Sequence, residues 1–140
     1  MKIDIKYDCN DVDWTRVSEI LSSVGMSSHP PEKHKKAFEA SYCVVFLYHK
    51  DKLVGFGRAI SDGSHQAAVY ECAVVAEYQG HGLGRTIIQE ILSRLPECNV
   101  ILYASPGKEG FYEKLGFRKM KTGMARFISQ DQMTQKGFTE

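Results

Sequence analysis

The sequence predicts a mixed α/β fold with a mostly antiparallel central sheet that ends in one βαβ crossover. Three observations support this prediction. Short runs rich in β-branched and aromatic residues, or alternating apolar and polar residues, indicate strands. Two apolar stripes at helical spacing flank the central group of strands. Polar turns separate those strands, which favours antiparallel hairpins before the crossover.

The first half of the chain is predicted to contain one strand, two helices and three further strands. Gly25 fits a C-terminal cap of the first helix, and Pro30 and Pro31 can open the second, since proline is tolerated in a first helical turn. Polar turns follow at residues 49–52 and 62–64. The predicted elements cover residues 3–7, 12–25, 30–40, 42–48, 53–61 and 67–75.

The second half is predicted to begin with a helix that carries an apolar stripe from Leu83 to Leu95 and ends at Pro96. Residues 100–104 form an apolar run, typical of a strand buried on both faces. A short helix at 110–115 and strands at 117–120 and 124–128 complete the expected order. We predict a domain at residues 1–128 and a polar, frayed tail at 129–140.

Composition narrows the classes of function. The 140 residues suit one domain, and 18 Lys and Arg against 17 Asp and Glu leave a net charge of only +1. Neither nucleic acid nor an anionic membrane is therefore an expected partner. No apolar run approaches the roughly 20 residues of a membrane span, and residues 1–10 lack the apolar core of a signal peptide. The expected location is cytoplasmic.

The cysteines give no sign of a metal site. Cys9, Cys43, Cys72 and Cys98 form no CxxC pair and match no zinc-binding spacing. In a reducing compartment they are expected to be buried thiols. The basic run at residues 33–36 is expected to be a solvated helix face.

Gly80, Gly82 and Gly84 occupy alternate positions where a strand gives way to a helix. Each glycine costs a helix about 1 kcal/mol relative to alanine, so the cluster needs a compensating role. A helix start offers unpaired N–H groups and the positive end of the helix dipole, which favours anions. A Walker loop would need GK[ST], and Arg85 stands where a dinucleotide fingerprint needs its last glycine. The cluster therefore predicts a phosphate cradle of another kind.

The segment QGHGLG, residues 79–84, resembles the Q-x-x-G-x-G/A signature of the GCN5-related N-acetyltransferases (GNAT). The segment GFYEKLGF, residues 110–117, is similar to the family's FYxKxGF motif. Residues 74–78, before the glycines, resemble the family's strand end and bulge, although Ala76 stands where many members have proline. The order of elements also matches over residues 1–128. The resemblance implies the GNAT fold, in which the βαβ crossover carries an acyl-CoA site, with acetyl-CoA as co-substrate and no metal.

The resemblance also implies residues that contact the co-substrate. A backbone N–H at the end of the strand before the glycines polarises the thioester carbonyl, and Val74 or Val75 occupies that place. Members often carry an asparagine after the crossover strand where this chain has Ser105, which has a shorter reach. The positions expected to hold the pyrophosphate are Gln79, Gly80, His81, Gly82, Leu83, Gly84, Arg85 and Thr86.

Acetyl transfer to an amine requires a neutral nucleophile, a donor for the developing oxyanion and a proton for the departing thiolate. Tyr112 matches the tyrosine that commonly protonates the sulfur in the family, and it is also expected to contact the co-substrate. Glu71 is the only carboxylate in the strand predicted at 67–75, where desolvation would tune it as a general base. The alternatives are a water chain as base, and a purely structural role for Glu71.

The acceptor side is less defined by sequence. The segment between the first two helices usually lines the acceptor cleft in this family, so Met26, Ser28 and His29 are candidates for contact with the substrate. We predict transfer to a primary amine of a small molecule, directly in a ternary complex, because no Cys–His pairing at a helix start is visible. A protein lysine or N-terminus is the alternative acceptor. A non-catalytic acyl-CoA-binding regulatory module is the alternative of another class, and a homodimer is compatible with the sequence.

Overall fold

The computed structural model describes residues 1–140 and contains five strands and five helices. A turn of 3₁₀ helix at Ala76–Tyr78 precedes the glycine cluster. The strands are β1 Asp4–Lys6, β2 Cys43–His49, β3 Lys52–Ser61, β4 Gln66–Val74 and β5 Asn99–Ile101. The helices are α1 Trp14–Ser23, α2 Pro31–Glu39, α3 Leu83–Ser93, α4 Glu109–Glu113 and α5 Gln130–Gln135. None of these helices is long and apolar enough to cross a membrane.

The chain forms two compact units, Met1–Leu102 and Tyr103–Glu140. The first contains the whole sheet, whose strands lie in the order β1-β2-β3-β4-β5. Pairing is antiparallel from β1 to β4, and β5 runs parallel to β4 after the α3 crossover. The mixed, mostly antiparallel sheet and its single crossover confirm the predicted fold class.

The sheet of the first unit is covered on both faces. On one face, α1 and α2 contribute Val17 and Phe38 to a buried cluster with Phe46 and Phe56 of the sheet. Alternate strand residues point to the opposite face, where Gly57 meets the buried side chains of α3. Since the core lies on both sides of β3 and β4, these central strands hold their polar side chains in fixed positions.

Gly57 provides a test of the packing between α3 and the sheet. A Cβ at this position would lie 2.7 Å from Ile87 Cγ2 and 2.8 Å from Cys72 Sγ, closer than real side chains approach. We expect Gly57→Ala to lower the free energy of unfolding by about 1–3 kcal/mol, measured by urea denaturation. Gly110→Ala is the matched control, because its Cβ would meet nothing within 4 Å. Equal stability of the two variants would contradict this account of the interface.

Two predictions about the first unit need correction. The crossover strand spans only Asn99–Ile101 and lies at an edge of the sheet, and Ile101 is 50% exposed. It is therefore not a strand buried on both faces. Of the cysteines, which are all free thiols, Cys43 alone is buried and the other three are half-buried.

The second unit departs further from the prediction. Residues 117–120 and 124–128 form no strands, and the apolar side chains of Met124 and Ile128 are exposed. A two-stranded hairpin without a buried face is marginal, which accounts for the missing pairing. The tail that was expected to fray forms α5 instead. The centre of the Phe138 ring lies 5.8 Å from that of Tyr103 and 6.4 Å from that of Phe127. The domain boundary proposed at residue 128 stays a prediction.

Candidate active site

The sheet opens where β4 extends beyond its pairing with the parallel strand β5. β5 pairs with β4 only at Gln66, Ala67 and Ala68, while β4 continues to Val74. Residues 69–74 therefore have a strand partner on the β3 side alone. The backbone groups on the other edge point into the opening between the two strands, where they can donate to and accept from a bound molecule.

The end of β4 distinguishes the two valines predicted to polarise a carbonyl. Val75 donates its N–H to the Val54 carbonyl at 2.9 Å and is therefore already engaged. Consecutive residues of a strand present their backbone groups to opposite edges, so the Val74 N–H faces the opening. The Val74 carbonyl faces the same way and accepts a hydrogen bond from Gln79 Nε2 at 2.9 Å. Val74 is thus the available donor.

The glycine cluster builds an open turn in front of α3. Gly80 and Gly82 have φ values of +82° and +78°, which favour glycine, and a Cβ on either would meet nothing within 4 Å. Gly82 is the N-cap of α3, and the helix has no side-chain cap and no acidic residue in its first turn. The unpaired N–H groups and free space fit a pyrophosphate at this helix start.

The side chains of the cradle have different environments. Leu83 is buried in the core, so only its backbone can serve a ligand, whereas His81 and Arg85 are exposed. Thr86 donates both its N–H and its hydroxyl to the Gly82 carbonyl, at 3.0 and 3.1 Å. That double contact fixes the first turn of α3 and uses the Thr86 donors internally.

A β-bulge places Glu71 in the middle of β4. Arg58 pairs with Tyr70 and Phe56 pairs with Ala73, so Glu71 and Cys72 together oppose the single residue Gly57. Glu71 adopts a φ of +55°, a conformation that costs a residue with a Cβ about 1–2 kcal/mol. The bulge turns the Glu71 side chain toward α2 and away from the ordinary strand direction.

The Glu71 carboxylate has two neighbours of basic character. Arg58 Nε donates to Oε1 at 2.7 Å, and His34 Nδ1 lies 3.0 Å from Oε2. Oε2 is buried, and the His34 contact is not directed well enough to count as a hydrogen bond. Oε1 is therefore committed to Arg58, while Oε2 retains a lone pair that can accept a proton.

Arg58 is held between two aromatic rings. Its guanidinium lies 5.7 Å from the centre of the Phe38 ring and 5.3 Å from that of Tyr70. Such cation–π contacts and the ion pair with Glu71 fix a planar cation beside the carboxylate. The pair leaves this part of the site close to neutral.

The candidate acceptor residues lie on the segment between α1 and α2. Met26 is half-buried against the core, while Ser28 and His29 are exposed. Ser28 donates its hydroxyl to the Ser18 carbonyl and Ser18 donates its hydroxyl to the His29 carbonyl, both at 2.8 Å. These reciprocal bonds fix the segment to α1, and the His29 N–H reaches His34 Nε2 at 2.9 Å.

Ser105 and Tyr112 belong to the second unit. Ser105 is exposed, and its carbonyl accepts the Lys108 N–H at 2.9 Å in a turn before α4. Tyr112 lies in α4 with its ring 5.0 Å from Phe111 and 5.8 Å from Phe117. A concavity of about 800 Å³ along residues 126–132 of this unit contains none of the predicted site residues.

Sequence reasoning missed His34 and Arg58. His34 was part of a run expected to be solvated, yet it is 1% exposed and shares the buried face of α2 with Phe38, four residues later. The lysines beside it are exposed as expected. An available signal was the pairing of Arg58 and Glu71, two opposite charges inside otherwise apolar neighbouring strands.

Known structures share this architecture. The probable acetyltransferase SA2161 of meticillin-resistant Staphylococcus aureus superposes with a TM-score of 0.81 at 26% identity, covering 91% of this chain and 98% of that one. The GNAT family acetyltransferase SP0256 of Streptococcus pneumoniae TIGR4 superposes with a TM-score of 0.77 at 26% identity, covering 90% and 98%. The fold is therefore that of an acetyltransferase.

Sequence comparisons identify the family to which the chain belongs. The model of the acetyltransferase (GNAT) domain matches residues 16–128. An uncharacterized N-acetyltransferase, ycf52, of Pyropia yezoensis is 32% identical over 129 residues, which are 86% of this chain and 74% of that protein. The chloroplastic serotonin N-acetyltransferase 2 of Oryza sativa subsp. japonica is 31% identical over 140 residues, covering 92% and 70%. The chain belongs to the GNAT family of acetyltransferases.

Proposed function

We propose that the protein transfers the acetyl group of acetyl-CoA to a primary amine of a small molecule, directly in a ternary complex. The observation that carries the proposal is the open edge of β4 leading to an uncapped helix start with room above Gly80 and Gly82. Its backbone donors suit a thioester carbonyl at one end and a pyrophosphate at the other. A cytoplasmic location remains part of the proposal.

The proposed reaction assigns one task to each group. Acetyl-CoA supplies a thioester whose acyl carbon is attacked by the amine nitrogen, so that a C–N bond forms as the C–S bond breaks. The Val74 N–H stabilises negative charge on the carbonyl oxygen. Glu71 accepts the proton that the amine loses, directly or through water, and Tyr112 gives a proton to the sulfur. Solvent then returns the proton to Tyr112 and removes the one on Glu71.

Direct transfer is supported by the state of Cys72, the cysteine beside the bulge. Burial raises the pKa of the Cys72 thiol to about 12, with the neighbouring Glu71 charge acting in the same direction. A thiol that stays protonated is a poor nucleophile, so an acetyl-enzyme on this side chain is disfavoured. The amine itself is the proposed attacking group.

The small-molecule acceptor is supported by the rice relative, which is named for serotonin. A protein acceptor is the second candidate, since the histone acetyltransferase TAP1 of Glycine max is 29% identical over 81% of this chain and 55% of that protein. An amine panel tests both. We would measure CoA thiol release and product mass with serotonin, a polyamine, an amino sugar and a lysine peptide.

Acetylation of a small amine, above the background seen without acceptor, would support the proposal. Activity on the peptide alone would replace the small molecule by a protein acceptor. Binding of acetyl-CoA with no thiol release from any amine would favour a non-catalytic acyl-CoA-binding module.

The cradle makes a separate prediction about binding. Gly82→Val and Gly84→Val should each weaken CoA binding at least about tenfold, or 1.4 kcal/mol, because a side chain fills the space for phosphate. Isothermal titration calorimetry measures this directly. Gly25→Val is the matched control for Gly82→Val, since Gly25 has the same φ of +78° and the same free space. Unchanged affinity in folded Gly82→Val and Gly84→Val proteins would remove the cradle from the proposal.

A further inference from the structure

His34 has both ring nitrogens engaged in the buried interior of the first unit. Nε2 accepts the backbone N–H of His29 at 2.9 Å. A nitrogen that accepts must carry a lone pair, so the single proton of a neutral ring lies on Nδ1. Nδ1 in turn lies 3.0 Å from Glu71 Oε2. The backbone of the α1–α2 segment therefore selects the tautomer that presents an N–H to the carboxylate.

The charge state agrees with this geometry. Burial lowers the pKa of His34, and Glu71 opposes that effect without overcoming it. A doubly protonated ring would also set an N–H against the His29 N–H and break the bond between them. The ring thus acts as a neutral bridge between His29 and Glu71.

The bridge joins two parts of the site that are distant in sequence. On one side, His29 belongs to the segment that carries the candidate acceptor contacts, and its ring centre lies 5.3 Å from that of His34. On the other side, Glu71 lies on the β4 bulge. The imidazole therefore adds one contact to the serine bonds that hold the segment and one to the Arg58 bond that holds the carboxylate.

We infer that His34 is a positioning residue, which orients the Glu71 carboxylate through Nδ1 and anchors the acceptor-side segment through Nε2. The inference rests on the proposed function of Glu71 as the base. His34 does not itself take the amine proton, because Nε2 is occupied by His29 and Nδ1 already carries a proton. The Nδ1 contact contributes to the orientation of Glu71, and the Nε2 contact contributes to the position of the acceptor-side segment.

The other titratable and charged groups that face Glu71 are few. Arg58 of β3 binds Oε1, and Cys72 of β4 stays a protonated thiol. His29 lies behind His34, on the segment before α2, and Tyr70 stacks on Arg58. Apart from the 3.0 Å approach of His34 Nδ1, the buried Oε2 has no hydrogen-bond partner, so loss of the His34 N–H would remove the contact that holds this oxygen in place.

Two conservative variants separate the contributions. The amide of His34→Asn can place a donor near Nδ1 but has no atom near Nε2, whereas His34→Gln can place an acceptor near Nε2 and loses the donor at Nδ1. We expect His34→Gln to lower kcat about tenfold, with the acceptor KM little changed. We expect His34→Asn to raise the acceptor KM several-fold, up to about tenfold, with kcat little changed.

The opposite pattern, or equal effects of both variants on both parameters, would overturn the inference and leave His34 a packing residue. Nitrogen-15 NMR of the histidine rings adds a readout that needs no activity. The Nδ1–H tautomer at neutral pH, assigned by its absence in His34→Gln, is the expected result, and an Nε2–H tautomer would also overturn the inference. A pH profile of Glu71→Gln identical to wild type would instead refute the base assignment, which distinguishes the two failures.

Discussion

Glu71→Gln is expected to lower kcat by about 10²–10⁴-fold, the usual contribution of a general base. Glutamine has nearly the same size as glutamate and adopts the positive φ of position 71 at the same cost in free energy, but its amide cannot accept a proton. The deficit should be greatest below neutral pH, where the acceptor amine is mostly protonated and water is a weak base. It should shrink as the pH rises and more of the amine becomes neutral. A pH series of kcat with saturating acetyl-CoA measures this change.

The control for Glu71→Gln must distinguish a loss of catalytic rate from a loss of folded protein. Arg58 loses its charged partner in the variant, and breaking a partly buried ion pair destabilises a protein. Thermal unfolding and CoA affinity should therefore be measured on the same samples. A weakly basic amine, which is neutral at lower pH, should recover part of the lost rate. A pH–rate profile that matches wild type in folded protein would return Glu71 to a structural role and favour a water chain.

Tyr112→Phe is expected to lower kcat by about 10²–10⁴-fold, with little change in the affinity for CoA. A phenol has a reference pKa near 10 and a thiol near 8.5, so a phenol remains protonated at neutral pH and can donate to a departing thiolate. Phenylalanine retains the ring that packs with Phe111 and Phe117 and deletes only the hydroxyl. Single-turnover rates in rapid mixing isolate the chemical step.

Tyr103→Phe is a suitable comparison, since it removes a phenol hydroxyl from another position of the same unit and should leave kcat within about twofold of wild type. An activated acyl-CoA thioester should partly rescue Tyr112→Phe, because a better leaving group needs less protonation. If Tyr112→Phe turns over like wild type when chemistry limits the rate, Tyr112 is a packing aromatic and water supplies the proton.

Local sequence signals predicted most of the first unit. The hairpin strands, the stripe of α3 and the glycine cluster each depend on residues close together in sequence, and each was found where periodicity and turn chemistry indicated. Gly80 and Gly82 adopt the positive φ that makes glycine necessary in such a turn. The geometry of this turn could therefore be inferred from residues 79–86 alone, and phosphate binding at the turn stays a prediction.

The features that sequence did not reveal depend on tertiary contacts. The bulge at Glu71 appears only when the register of β3 and β4 is known, since one residue of β3 must oppose two of β4. The burial of His34 among three lysines follows from how α2 is rotated on the sheet. The sequence predicted strands at residues 117–120 and 124–128, but strand formation also needs a partner edge and a buried face.

The open edge of β4 has a consequence for the behaviour of the protein in the cell. Residues 69–74 have no strand partner on the β5 side, and such an edge is a template to which a strand from another chain can add. A co-substrate that covers this edge would act as a ligand-dependent guard against such self-association. We therefore expect the protein to aggregate more readily when acetyl-CoA is scarce, so that its solubility would follow the supply of the proposed co-substrate.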